Sequence, residues 1–377
     1  MDDILVTGPD SVLLEEFVAK RSKVFALKDL GLVAHFLGVE VCYTYHGMHL
    51  SQTKYIKDLL TRASMQDCKG TDTPCSTGLK LEKQVRGSLG QEFENPTLYR
   101  SIVGGLQYLV LTRPDIAYSV HKLSQYLSSP IIQHWLACKK VLRYLQATVT
   151  HGIYLQQGGS LEITGLNGYS DVDWACDVDD RKSIRVCYIY LGNNLISWSS
   201  KKQGVVAKSS TKSEYRALSS ACSELSWLQS LFSELNIAKL PTLVLWCDNQ
   251  SVGALARNPI FHSKSKYIEL DVHYVRDKIL NKELEIRYIL TDEQVADILT
   301  KPLSLPKFSY FRSKLNVIGI PLSLRGDVKE AHHACCTIGK ARDKAKDYSK
   351  NSIRLKVDDL DVQLAPGGYI VTSTHED

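Results

Sequence analysis

At 377 residues, 44% of them hydrophobic, the chain has room for two or three domains with buried cores. A net charge of +5 permits nucleic-acid binding without requiring it, and no run approaches the roughly 18 to 20 unbroken apolar residues of a membrane helix. The ten cysteines include no CxxC pair, so neither a zinc ribbon nor a knuckle is indicated and reduced thiols are the plain reading.

The chain opens on "MDDILVTG", with Asp2 and Asp3 set against a short apolar run. Paired acids at the head of a strand are a common way to hold metal, but nothing ahead of them in this sequence supplies the rest of a site. Residues 1–70 read as mixed α and β: "HFLGVEVCYTYHGMHLSQTKYIKDLL" gives two alternating runs broken at "HG", then a helix from about Gln52. Residues 71–96, rich in Thr, Ser, Gly, Pro and charge, read as an exposed linker. Residues 97–160 turn helical, with Pro114 where a first turn accepts proline and Trp135, Cys138, Leu142 and Leu145 along one face.

Residues 161–303 give the order strand, strand, strand, helix, strand, helices, strand, helix. "ITGLNGYSDVDWA", "RVCYIYLG" and "LISWSS" are the first three strands. That order predicts an α/β fold with a mixed sheet covered by helices. Residues 304–326 form one more helical stretch, "KFSYFRSKLNVIG", and residues 327–377 read as a charged, irregular tail. The doublets of "HHACC" (His332, His333, Cys335, Cys336) lie there with no hairpin or helix to gather them, so they are read as chance.

Four acids in the 161–303 segment stand at the ends or first turns of successive elements. Asp171 lies in the first strand, and period two puts Asp173 on the same face, so the strand alone does not choose between them. Asp177, Asp179 and Asp180 read as a solvated turn. Glu214 fits a capping box with Thr211, yet it also falls on the apolar stripe of Leu218, Ala221, Leu225, Leu228, Phe232 and Leu235. Asp248 ends the strand "TLVLWCD", where either helix capping or a sheet-end site would explain it. Asp297 sits one and a half turns into a helix opened by Thr291, among Val295, Ala296, Ile298 and Leu299. Singly, each has an ordinary structural explanation. Together, carboxylates on separate elements suit two-metal phosphodiester hydrolysis, with Mg2+ ions about 3.5 to 4 Å apart and Mn2+ as the alternative.

"YSDVDWACDVDDRKS", "LISWSSKKQGVVAKSSTKSEYRAL", "LWCDNQSVGALARNP", "FHSKSKYIELDVHYVRDK" and "TDEQVADILTKPL" resemble, in order and spacing, the ribonuclease H domain of copia-type LTR retrotransposons. Upstream, "FALKDLG", "FLGVEV", "LSQTKYIKDLL", "YRSIVGGLQYLVLTRPDIAYSV" and "LRYLQATVTHGIYL" resemble the later reverse transcriptase and connection of the same elements. The resemblance implies a ribonuclease H-like mixed five-stranded sheet flanked by helices, preceded by a partial palm and thumb and a helical connection. It places the catalytic, metal-holding quartet on Asp171, Glu214, Asp248 and Asp297, choosing Asp171 over Asp173.

The implied activity is cleavage of the RNA strand of an RNA–DNA hybrid with two Mg2+ ions, leaving 5′-phosphate and 3′-hydroxyl ends. The implied place is the cytoplasmic particle of the parent element, with the nucleus as a second compartment, and no membrane. Lys201, Lys202, Lys264 and Lys266 are candidate phosphate contacts, while Trp198 and Tyr267 are groove or core-rim aromatics. Asp2 and Asp3 match the metal-holding pair of a reverse transcriptase. A polymerase also needs fingers and an earlier aspartate that this sequence does not contain, so polymerase activity is not expected. Arg185 and Val186 replace Ser-Gly of the family, Tyr267 replaces His, Cys176 replaces Gly, and no histidine lies between Glu283 and Asp297. These departures motivate the rival reading, a catalytically silent nucleic-acid binder or a relic.

Overall fold

The computed structural model describes residues 2–8, 10–25, 28–78, 81–83, 91–158, 165–236, 240–257, 269–320, 352–357 and 369–372. The chain divides into two compact units, Met1–Ser51 with Ile320–Asp377, and Gln52–Gly319. In the first unit, strand β1 (Asp2–Thr7) leads into helix α1 (Ser11–Ser22), which Asp10 caps by accepting from the Val12 N–H at 2.8 Å. Ile4, Val6 and Leu14 form a small core there. After the short β2 (Lys28–Asp29), strands β3 (His35–Phe36), β4 (Val39–Thr44) and β5 (Gly47–Ser51) make an antiparallel meander, turning at the "HG" that breaks the alternation.

The second unit starts with helix α2 (Thr53–Arg62), whose Ile56, Leu59 and Leu60 are buried at helical spacing. Helix α3 (Pro96–Leu109) is capped by Asn95, which accepts from the Leu98 N–H at 2.9 Å, with Pro96 in the first turn. At Gly105 a Cβ would stand 2.6 Å from Leu59 Cδ1, so α2 and α3 approach more closely than a side chain there allows. Helices α4 (Ala117–Ser124) and α5 (Ile132–Ala147) follow, and α5 buries Trp135, Cys138, Leu142 and Leu145 on one face.

Two features differ from the sequence reading here. Among the described residues, the supposed linker is laced onto the helices. The Thr71 N–H donates to the Arg143 carbonyl at 3.2 Å, Lys140 Nζ to Ser76 Oγ at 2.7 Å and the Tyr126 hydroxyl to the Leu81 carbonyl at 2.6 Å. The helical run also ends before 160, giving way to strand β6 (His151–Gln156).

The sheet that follows has strands β7 (Leu166–Asp173), β8 (Ile184–Leu191), β9 (Asn194–Lys202), β10 (Leu243–Cys247) and β11 (Leu284–Tyr288) in the order β11-β10-β7-β8-β9. β7 is central, parallel to β10 and antiparallel to β8. This is the expected ribonuclease H-like mixed sheet. Its helices are α6 (Ser210–Glu234), α7 (Gln250–Arg257), α8 (Glu269–Leu280), α9 (Asp297–Thr300) and α10 (Leu305–Lys314). The chain then turns at Asn316, φ 55°, into β12 (Val317–Gly319), antiparallel to β6, so the "KFSYFRSKLNVIG" helix ends earlier than its sequence implied, at Lys314.

Strand β8 shows how the sheet is covered. Ile184, Val186, Tyr188 and Tyr190 share one core with α3, α4, α5 and α9, while Cys187 and Ile189 face α6 and the β10 side chains in a second core. Both faces are apolar, so the strand reads as a nearly continuous run, and each fully buried large side chain contributes about 1.5–3 kcal/mol. Gly168 in β7 lets α6 lie close, because a Cβ there would meet Leu245 at 2.9 Å and Leu225 at 3.0 Å.

Within the supposedly irregular tail, β13 (Ser352–Val357) and β14 (Tyr369–Thr372) pair antiparallel with the two edges of β1. Their apolar alternation, Ile353, Leu355 and Val357, was hidden by the charge around it. "HHACC" lies outside the described residues.

Candidate active site

Two of the four acids, Glu214 and Asp248, are freed from a capping role by a neighbour. Helix α6 begins two residues earlier than a Thr211 capping box requires: Ser209 is the N-cap and accepts from the Lys212 N–H at 3.4 Å. Glu214 therefore sits inside the first turns, 8% exposed, on the face that carries Leu218 and Ala221. Likewise Asn249, not Asp248, serves α7, accepting from the Val252 N–H at 3.3 Å. Asp248 instead accepts from the Thr291 hydroxyl at 3.3 Å.

Asp297 is not deep in a helix opened by Thr291. Residues Thr291–Glu293 form a single 3-10 turn, Gln294 is extended, and Asp297 starts the short α9. Gln294 explains the break, because its side-chain amide donates to the Ser170 carbonyl at 3.1 Å and pins the segment to β7. Asp297 is fully buried by that route. Asp171, 5% exposed, accepts from the Thr300 hydroxyl at 2.8 Å, so α9 supplies both an acid and the donor that holds another. Asp173 lies at the edge, partly exposed, and accepts from the Cys176 thiol.

Burial and mutual repulsion dominate the electrostatics. Burial first, then the charge of Asp297, raises Asp171. Burial, then Asp171 and Asp248, pushes Glu214 up to about 9, and burial and Asp297 also raise Asp248. Glu214 Oε2 is buried with no hydrogen-bond partner among the described residues. The carboxylate oxygens of Glu214 and Asp248 and the Cys247 sulfur lie within 4.8 Å of one another.

The intramolecular counter-charge is Lys301, whose Nζ is 2.7 Å from Asp297 Oδ1, with Lys307 at 3.4 Å from Oδ2. Lys301 also lowers the pKa values of Asp171, Glu214 and Asp248. Sequence reasoning passed over Lys301, Thr300, Thr291 and Cys247. Their signal was proximity to the chosen acids, including the i, i+4 spacing of Asp297 and Lys301 on one helix face.

A carboxyl whose folded pKa exceeds its unfolded one binds its proton more tightly when folded. The stability this gives is present below about pH 4.5 and lost as the pH rises toward 9 for Glu214. Thermal unfolding in a chelator across that range should show the decline, and Glu214→Gln should flatten it. Lys301→Met removes the cation that competes with any metal. Since Lys301 is 43% exposed, the change is expected to tighten Mg2+ binding only about threefold, read by calorimetric titration, while lowering the melting temperature of the metal-free protein.

The other candidates are less concentrated. Lys201 is exposed at the end of β9, but Lys202 is engaged in the β8 approach, 2.8 Å from Asp177 and 2.9 Å from Asp180. Asp177 is buried rather than solvated, accepting from the N–H groups of Asp179 and Asp180 at 3.0 and 3.2 Å. Trp198 is a core-rim residue donating to the Val110 carbonyl at 3.1 Å. Lys264, Lys266 and Tyr267 lie outside the described residues, as do the side chains of Asp2 and Asp3 in β1. Arg185 is accommodated by a bond to Ser220 Oγ, and Val186 is buried in the sheet core. No helix among the described residues is long and apolar enough to cross a membrane.

Comparison with known proteins gives relatives for most of the chain. The family model described as reverse transcriptase (RNA-dependent DNA polymerase) matches residues 1–77. The retrovirus-related Pol polyprotein from transposon RE2 of Arabidopsis thaliana is 45% identical over 326 residues, covering 86% of this chain and 22% of its own length. The corresponding polyprotein from transposon TNT 1-94 of Nicotiana tabacum is 38% identical over 313 residues, covering 82% of this chain and 23% of its own. The chain thus spans about a fifth of the length of the curated polyproteins it matches. Among solved structures, LC11-RNase H1 from compost aligns at 17% identity with a TM-score of 0.28, covering 36% of this chain and 93% of that one.

Proposed function

Because this chain belongs to the family of Pol polyproteins of copia-type retrotransposons, we propose that residues 161–303 form its ribonuclease H centre. The reaction is hydrolysis of the RNA strand of an RNA–DNA hybrid, leaving 5′-phosphate and 3′-hydroxyl ends, in the cytoplasmic particle of the parent element. One observation carries the reading. Asp171, Glu214, Asp248 and Asp297 come from four separate elements into one cluster, in which burial and neighbouring carboxylates raise Asp171, Glu214 and Asp248, and Glu214 Oε2 is buried without a hydrogen-bond partner among the described residues.

An all-carboxylate set of oxygen donors fits hard divalent ions, Mg2+ first and Mn2+ as the alternative. When bound, two such ions would activate the attacking water and stabilise the leaving oxygen. The protein's own groups do the positioning. Thr300 holds one oxygen of Asp171 and Thr291 one of Asp248, while Lys301 and Lys307 fix Asp297. Gln294 ties the α9 segment to the strand that carries Asp171, so these two acids move as one piece. Lys201 is the described candidate left exposed for a phosphate, which would make binding salt-dependent.

The test is cleavage of a labelled hybrid by the purified chain in Mg2+, with Asp248→Asn beside it. The RNA strand should be cut to 5′-phosphate products, and Asp248→Asn should slow cutting by about a hundredfold or more. An RNA strand left as intact as with the variant overturns the reading. Salt-sensitive hybrid binding without turnover would then favour a silent binder.

A further inference from the structure

The alternation of β10 places Leu243, Leu245 and Cys247 on the face covered by α6, all of them buried. Glu214, in the first turns of α6, faces the same end of that strand, and Asp248 follows it directly. A soft sulfur donor is thereby built into a cluster otherwise made of hard oxygens. We propose that Glu214, Cys247 and Asp248 form a capture site for a thiophilic divalent ion of the Zn2+ or Cd2+ class, and that its occupation shuts down hydrolysis by tying up two of the four acids. The inhibitory part rests on the reading of Glu214 and Asp248 as ligands of the hydrolytic site.

Three observations support the site. The three donor atoms already lie within 4.8 Å of one another. Around a four-coordinate ion with bonds of about 2.0–2.3 Å they would stand roughly 3.5 Å apart, a closure within reach of small side-chain rotations. Glu214, only 8% exposed, presents a buried oxygen that no hydrogen bond from the described residues satisfies. The Asn249 N–H already donates to Cys247 Sγ at 3.4 Å, the kind of outer contact that steadies a bound thiolate. Binding would release the thiol proton to solvent and form a metal–sulfur bond. Thiolate favours Zn2+-class ions, whereas Mg2+ takes carboxylate and water, so donor type sorts the two metals.

The experiment is titration of the purified full chain with Cd2+, following the ultraviolet thiolate-to-metal charge-transfer band, in the unmutated protein and in Cys247→Ser. The tightest site should carry the band, and Cys247→Ser should remove that increment and weaken binding at least about tenfold. Glu214→Gln keeps the thiol and removes another ligand, so it should weaken the same site and guards against misfolding of the first variant. A band and affinity unchanged in both variants overturn the proposal. In parallel, Zn2+ should inhibit Mg2+-supported cleavage of the hybrid, and more Zn2+ should be needed in Cys247→Ser. A protein that shows the Cys247-dependent band yet never cuts hybrid retains the capture site and fails the ribonuclease reading. One that cuts hybrid with no Cys247-dependent band fails this proposal alone.

Discussion

Glu214→Gln is expected to slow hybrid cleavage steeply and to make the metal-free protein more stable, two effects that a purely structural acid would not combine. The residue is 8% exposed, and burial together with Asp171 and Asp248 pushes its carboxyl pKa up to about 9. Near neutral pH the folded protein must either hold a proton there or confine several like charges. A neutral amide of the same shape removes that conflict. The gain is expected to be of order 1–2 kcal/mol, or roughly 2–8 °C in melting temperature for a domain of this size.

Activity should fall about 10²- to 10³-fold, the scale of losing one preorganised electrostatic partner. Saturating Mg2+ should then reverse the order of stability, because binding to the native state raises the melting temperature of the unmutated protein and does so less for the variant. Paired melting curves in chelator and in Mg2+ check this. A variant less stable than the parent under both conditions would return Glu214 to a helix-capping role.

That contrast also marks how far the sequence could be read. The cores were legible because a nearly continuous apolar run marks a strand covered on both faces and period 3.6 marks a helix, as β8 and α5 illustrate. The grouping of the four acids was legible only as a set, since "STKSE" and "CDNQS" each contain an ordinary cap beside a candidate ligand. In the fold the caps fall to Ser209 and Asn249. Which residue caps depends on where a helix starts, by one or two positions, and local sequence does not settle that. The break before Asp297 was illegible because it comes from a long-range bond, Gln294 to Ser170. Lys202 was misjudged for the same reason, its partners Asp177 and Asp180 lying across a turn. Strand β6 was missed because its partner β12 lies more than a hundred residues away.

The largest loss of stability is expected from a residue outside the acid cluster. Arg113, with no exposed surface, donates from Nε to Asp115 Oδ1 at 3.0 Å and from Nη2 to Oδ2 at 2.8 Å. It also donates to the Thr148 carbonyl at 3.0 Å and to the Thr148 hydroxyl at 2.8 Å. Tyr144 donates to the same Asp115 carboxylate, and Arg312 of α10 reaches the Tyr144 hydroxyl at 3.3 Å. Burial alone would raise Asp115, but the Arg113 charge and hydrogen bonds outweigh it and hold the carboxyl below its ordinary range.

Arg113→Met leaves that carboxylate buried without its partner, and a loss of about 3–5 kcal/mol is expected. A double variant, Arg113→Met with Asp115→Leu, removes both charges and should recover much of the loss, since a buried ion pair replaced by apolar groups of similar volume is often near neutral. Denaturant midpoints of the three proteins measure the difference, and equal midpoints for the single and double variants would refute the argument. The consequence reaches the acids, because α9, which carries Asp297 and Thr300, packs against α4 and the Pro114–Ile116 turn that this pair anchors. Loosening that turn should raise the Mg2+ concentration needed for cleavage even in protein that remains folded, so the support of the acid cluster extends into the helices that precede its sheet.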